Sequence, residues 1–211
     1  MKKIQDEMNR FYKTTIEKEA SNAEKVNWKN EYAQRIRFAQ LIRLLPDNKT
    51  QAFKVADLGC GLGDLSKFIS ESGYDNFSYI GYDISPEMIL SAKNTFETEK
   101  ISFRLTENSQ QTEKSDYYLA SGIFNKKLDT KEYEWIAYIL ETLQNMHEKS
   151  EKGFAFNMLT SYSDADKQRA DLYYANPAYF FDYCKRNFSR NVALLHDYNE
   201  YDFTILVRKN F

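Results

Sequence analysis

Apolar residues come in two rhythms along this chain. Short β-branched, aromatic or alanine-bearing runs at 51–58, 78–83, 101–105, 117–120 and 154–159 each end in an acid, a glycine or a polar residue, which predicts strands. Between them apolar positions recur every three or four residues, predicting helices over 64–72, 86–97 and 131–149. The last should bury a face made of Tyr133, Ile136, Ala137, Leu140 and Leu143. An earlier helix over 30–45 carries Ile36, Phe38, Leu41, Ile42, Leu44 and Leu45, and Pro46-Asp47-Asn48 ends it. Punctuation agrees: Gly73 closes one helix, while Ser85-Pro86 starts the next with an N-cap and a first-turn proline. A helical stretch over 164–188, broken at Asn176-Pro177, is followed by strands at 192–196 and 203–207 around a turn at Asn199-Glu200. Residues 1–27 are polar and rich in charge, with Phe11, Tyr12, Ile16 and Val26 among the few apolar points, and read as a helical or partly mobile lead.

Strand–helix alternation predicts an α/β fold with a mostly parallel sheet, closed by an antiparallel hairpin. Within it one turn stands apart. Three of the chain's seven glycines lie in Asp57-Leu58-Gly59-Cys60-Gly61-Leu62-Gly63-Asp64, between the first strand and its helix. Bare backbone at a strand-to-helix turn lets a ligand approach unpaired N–H groups closely. The dinucleotide fingerprint G-x-G-x-x-G would need a glycine where Asp64 stands, so a nicotinamide cofactor is the weaker reading. Asp83 falls 20 residues past Gly63, at the tip of the second strand, where an acid can accept hydrogen bonds from a ribose diol.

The segments VADLGCGLGDLS and YIGYDISPEMI, at this spacing, resemble the class I S-adenosylmethionine-dependent methyltransferases. The resemblance covers about 50–211. It implies a Rossmann-like, seven-stranded, mostly parallel sheet with helices on both faces and an antiparallel last strand, here preceded by an N-terminal helical segment. The expected division is a cap or lid over 1–50 and a cofactor-binding domain over 51–211, with a helical substrate insertion at about 161–188. Trp28 and Tyr12 could belong to that lid. The implied cofactor is S-adenosylmethionine, with S-adenosylhomocysteine as product. Asp57, Gly59, Cys60, Gly61, Gly63 and Asp64 would then cradle its methionine part, Asp83 its ribose, and Ile84 and Met88 its adenine. Glu107 would stand near the adenine amino group, and Ser121 and Gly122 would pass the methionyl group. Arg37 either pairs with the cofactor carboxylate or is a solvated surface arginine.

Ligands of open α/β sheets sit at the carboxyl ends of the strands, so acceptor contacts are sought there. Phe124, Asn125 and Tyr162 are the candidates for the acceptor, and His196 and Asn125 for catalysis. His196 reads more readily as a partly buried strand-end histidine bonded to backbone. The rings between Tyr173 and Phe188 could supply one or two substrate contacts. Methyl transfer from a sulfonium needs mainly alignment, and a base only if the acceptor must lose a proton.

Composition narrows the partners. With 29 basic against 31 acidic residues the net charge is −2, which gives no attraction to phosphate backbones and makes nucleic acid an unfavoured partner. Ser121-Gly122-Ile123-Phe124-Asn125 also differs from the motif of DNA base methylases. Cys60 and Cys184 have no metal-ligand spacing and make no disulfide framework, and no metal site is expected. Reduced thiols and no secretory leader or membrane-length apolar run point to a cytoplasmic protein. A small-molecule acceptor, such as a sugar or surface-polysaccharide precursor, methylated at oxygen or nitrogen, is the leading expectation. A protein or RNA acceptor, and a non-catalytic module binding the cofactor or its product, are the alternatives. Oligomeric state is left open.

Overall fold

The computed structural model describes residues 2–16 and 30–209. Among the described residues, α1 (Lys2–Ile16) and α2 (Glu31–Leu41) precede the sheet. Strands β1 (Phe53–Leu58), β2 (Phe77–Asp83), β3 (Ile101–Leu105), β4 (Ser115–Ala120), β5 (Ser150–Leu159), β6 (Asn191–Leu195) and β7 (Asp202–Arg208) form one sheet. Helices α3 (Asp64–Glu71), α4 (Pro86–Phe96), α5 (Glu132–Lys149) and α6 (Pro177–Asn187) fall between them.

The strand order is β3-β2-β1-β4-β5-β7-β6, with β7 antiparallel to both its neighbours. The order reverses between β1 and β4, the crevice where such sheets take ligands.

Side-chain alternation sends each strand's residues to two cores. Ala56, Leu58, Tyr82, Tyr118, Phe154, Phe156, Phe203 and Ile205 face α1, α5 and α6. Val55, Phe77, Tyr79, Phe103, Leu119 and Leu206 face α2, α3 and α4. The result is a sheet between two helical layers, as expected.

Three details differ from the sequence reading. The α5 face is rotated: Trp135, Ile139, Thr142, Leu143 and Met146 are buried, while Tyr133 is 65% exposed and Ala137 exposed. Two apolar stripes compete on this helix, and only the sheet decides between them. Strand β5 begins at Ser150, directly after α5, because backbone pairing with Ser115 extends it beyond its apolar run. The 164–188 stretch is helical only over Pro177–Asn187 and a single 3-10 turn at Ala165–Lys167. Tyr173 and Ala175 bury alternate side chains there, with isolated bridges Lys126–Leu172 and Thr160–Ala175, so the segment runs extended. Among the described residues before the sheet, Phe38 and Leu41 of α2 belong to the sheet's core, and Gln5 and Met8 of α1 reach the end of the sheet beside Gln34.

Candidate functional site

A cavity partly open to solvent lies over the tips of β1, β2 and β4.

Its floor is the glycine turn. Gly59, Gly61 and Gly63 all have positive φ (75°, 52° and 88°), a region closed to most side chains. A Cβ at Gly59 would stand 2.2 Å from Ile123 Cγ2, so the loop after β4 can lie on it only while it stays bare. The turn is tied to β2 by backbone: Gly59 and Cys60 N–H both donate to the Tyr82 carbonyl, at 2.7 and 3.0 Å. Asp83 adds a side-chain latch, Oδ2 accepting from Gly61 N at 2.9 Å and Oδ1 from Ser85 N at 2.9 Å. Burial raises the Asp83 pKa, and these backbone donors work against that rise.

Asp57 is the unusual group. It is 2% exposed, and its Oδ2 accepts from the Tyr79 hydroxyl at 2.5 Å. Its buried Oδ1 has no hydrogen-bond partner among the described residues. Burial pushes its pKa up to about 7; the Tyr79 bond opposes this and the charge of Asp83 adds to it. A buried carboxylate oxygen without a donor is costly, and a cation brought into the cavity would satisfy it. Cys60 lies between them, buried, its thiol held neutral by burial and by the neighbouring acids.

Of the other residues expected at the cofactor, Asp64, Ile84, Met88, Ser121 and Gly122 all line the cavity. Gly122 N donates to Asn157 Oδ1 at 2.7 Å, and Asn157 Nδ2 to Ser121 Oγ at 3.3 Å, so a buried asparagine of β5 sets this loop. Glu107 does not join them. It is exposed, and Thr106, Asn108 and Ser109 line the wall in its place. The turn after β3 bends so that Thr106 Oγ1 reaches the Asn108 carbonyl (2.7 Å), leaving Glu107 outside.

Arg37 is also corrected. Its guanidinium is buried and bonds Asp202, Glu200 Oε2 (3.1 Å) and the Ala33 carbonyl (2.7 Å), bolting α2 to the β7 hairpin. Burial works against its charge, but Asp202 and then Glu200 more than offset that and hold its pKa above the ordinary value. Gln34 and Phe38 of the same helix are the ones that reach the cavity.

The acceptor candidates divide. Asn125 lines the cavity; its Oδ1 is taken by Leu159 N (2.9 Å), and its Nδ2 has no acceptor among the described residues. Phe124 is wholly buried in the core, edge-on to Phe156, with its carbonyl accepting from Trp135 Nε1 at 3.0 Å. Tyr162 is 74% exposed and sits beside His196, ring centroids 5.8 Å apart, away from the cavity. His196 is exposed, just past the end of β6 at the sheet's outer edge. Three strand spacings separate that edge from β4, about 14 Å. It is too far to act as a base on this site. His147 stacks on Phe188, ring centroids 4.9 Å apart, and does not line the cavity. Of the proposed lid aromatics, Trp28 lies outside the described residues, and Tyr12 lies on α1.

The sequence reading missed Gln5, Met8, Gln34, Lys126, Trp135, Tyr138 and Thr142, all in the cavity wall. For the last three a signal existed: positions 135, 138 and 142 share one side of a helix. The others come together only through packing. Among the described residues no cluster of His, Cys, Asp and Glu could hold a metal ion, and no helix is long and apolar enough to cross a membrane.

Comparison with known proteins fits this geometry. Residues 55–145 match the model of a methyltransferase domain. A Mycobacterium tuberculosis protein named "Putative methyltransferase Rv1506c" is 48% identical over 162 residues, covering 77% of this chain and 96% of its own length. The fold resembles magnesium protoporphyrin IX methyltransferase of Synechocystis PCC 6803, solved with bound S-adenosylhomocysteine: TM-score 0.62, 14% identity, 98% of each chain. It also resembles human N-acetylserotonin methyltransferase in complex with S-adenosylmethionine: TM-score 0.57, 18% identity, 90% of this chain and 57% of that one. This chain belongs to the class I S-adenosylmethionine-dependent methyltransferase family.

Proposed function

We propose that this protein transfers a methyl group from S-adenosylmethionine to an oxygen or nitrogen of a small-molecule acceptor. One observation carries the reading: two carboxylates, Asp57 with an unpaired buried oxygen and Asp83 at the next strand tip, flank a positive-φ glycine turn in the sheet's crevice. Asp57 Oδ1 suits the α-ammonium of the methionine part. Each Asp83 oxygen keeps a lone pair beyond its backbone bond for a ribose hydroxyl. Met88 and Thr106 would take the adenine side, and Ser121 and Gly122 the methionyl side; all four line the cavity. The cofactor, once bound, supplies a methyl group made electrophilic by its sulfonium. The chain's own work is to align and to exclude water. Asn125 serves as a donor that orients the acceptor. Its oxygen is committed to Leu159, so it takes no proton.

A small acceptor is supported by the wall of Gln5 and Met8 from α1, which roofs the cavity. Sugars and small amines are the first acceptors to try. Calorimetric titration with S-adenosylmethionine, S-adenosylhomocysteine and NAD tests the cofactor. Binding of the first two without NAD is expected; binding of NAD alone would overturn the reading.

A further inference from the structure

We infer that the acceptor carries an anionic oxygen group, carboxylate or phosphate, and that Lys126 holds it. This rests on the proposed methyl transfer and names the chemistry of its second ligand. Lys126 is the one cation in the cavity wall among the described residues, and it is only 3% exposed. A lysine buried at a ligand cavity is costly unless its ammonium is partnered. Here it bonds Asp171 and stands 4.3 Å above the Phe11 ring of α1.

The Asp171 partnership is exchangeable. Asp171 also receives both donors of Arg169, Nε at 3.0 Å and Nη2 at 2.7 Å. If Lys126 swings to a ligand, the carboxylate it leaves is still held by a bidentate arginine and is partly open to water. The neighbouring Asn125 Nδ2 points the same way chemically, as a donor in the wall with no acceptor among the described residues. The wall's acids, Asp57, Asp64 and Asp83, all belong to the glycine turn and the β2 tip. Two adjacent donors on the acceptor side, one charged, select an anionic oxygen group over a cation.

The test uses protein saturated with S-adenosylhomocysteine, its binding measured first. Benzoate, phenyl phosphate, benzamide and benzyl alcohol are then titrated by protein-observed NMR. One of the two anions should bind at millimolar concentration, and the neutral analogues at least about tenfold more weakly, the scale of one charge-assisted hydrogen bond. Lys126→Met should remove that preference, Lys126→Arg should keep most of it, and Asp171→Asn should strengthen anion binding. Which anion prevails separates carboxylate from phosphate. Equal binding of neutral analogues, no anion binding, or an unchanged preference in Lys126→Met that still binds S-adenosylhomocysteine would overturn the inference. Failure of S-adenosylhomocysteine to bind wild-type protein would instead sink the methyltransferase reading itself.

Discussion

The two halves of the cavity are built in opposite ways. The cofactor half comes from contiguous strand-tip segments: Asp57 to Asp64, then Tyr82 to Met88. Its geometry is held mainly by backbone groups, the Tyr82 carbonyl taking two donors from the glycine turn and Asp83 latching the Gly61 N–H. The acceptor half is assembled from α1, α2, the loop after β4 and one face of α5, and is held by side chains. Asn125 reaches across to Leu159, Lys126 to Asp171 and Phe11. On the proposed reading, a common cofactor is thus met by a locally encoded cradle. The variable ligand is met by surfaces that can change without disturbing it.

The largest effect should come from filling the cradle. Gly61→Val puts a branched side chain at positive φ in the cavity floor and should abolish S-adenosylhomocysteine binding in calorimetry. The circular dichroism spectrum should remain that of the wild type; retained binding would move the cofactor elsewhere. Arg37→Met should act on the scaffold. It strands the buried Asp202 carboxylate and should cost about 3–5 kcal/mol in urea unfolding. If it lost cofactor affinity without losing stability, Arg37 would belong to the site after all.

Asp83→Ala should weaken cofactor binding by about 1.5–3 kcal/mol, the range for hydrogen bonds to a charged group. Unchanged affinity would take Asp83 out of the site. For Asp57 the expectation is a pH dependence. Its proton, held up to about pH 7, must leave before the carboxylate can pair with an ammonium. Affinity for S-adenosylhomocysteine should therefore rise from pH 6 to 8, and Asp57→Asn should flatten that slope. The stability sign is opposite. A raised carboxylate pKa means the folded state binds the proton more tightly, so this group's contribution is present at acid pH and lost as pH rises through about 7. Asp57→Asn should raise Tm more at pH 8 than at pH 5, and a uniform Tm change would contradict the burial argument. The smallest effect belongs to His196→Ala, which should leave cofactor affinity, and methyl transfer once an acceptor is found, as in the wild type.

Much of this was legible before any coordinates. The glycine turn, the acids at the tips of β1 and β2, the N-cap at Ser85 and the strand–helix alternation depend on local backbone chemistry. Neighbours in sequence are enough to specify them. The sheet with its antiparallel last strand also followed from the order of elements. What failed was whatever needed a distant partner. Arg37 has the residue type and the helix position that suit a cofactor carboxylate, but Asp202 is 165 residues away and only the fold brings the two together. Glu107 lies one residue from the wall, yet the bend after β3 turns it outward. His196 is at a strand end, as a base should be, but at the far edge of the sheet.

The sequence by itself therefore determined the cradle, because a positive-φ turn between a strand and a helix is a short-range property of glycine and of hydrogen bonds a few residues apart. Tertiary structure alone decided the other ligand's surroundings. It chose which stripe of α5 faces inward, laid α1 over the cavity and brought Lys126 to Asp171 across 45 residues of chain. Those choices follow from the burial of two competing apolar surfaces against one sheet, a quantity that no local pattern contains.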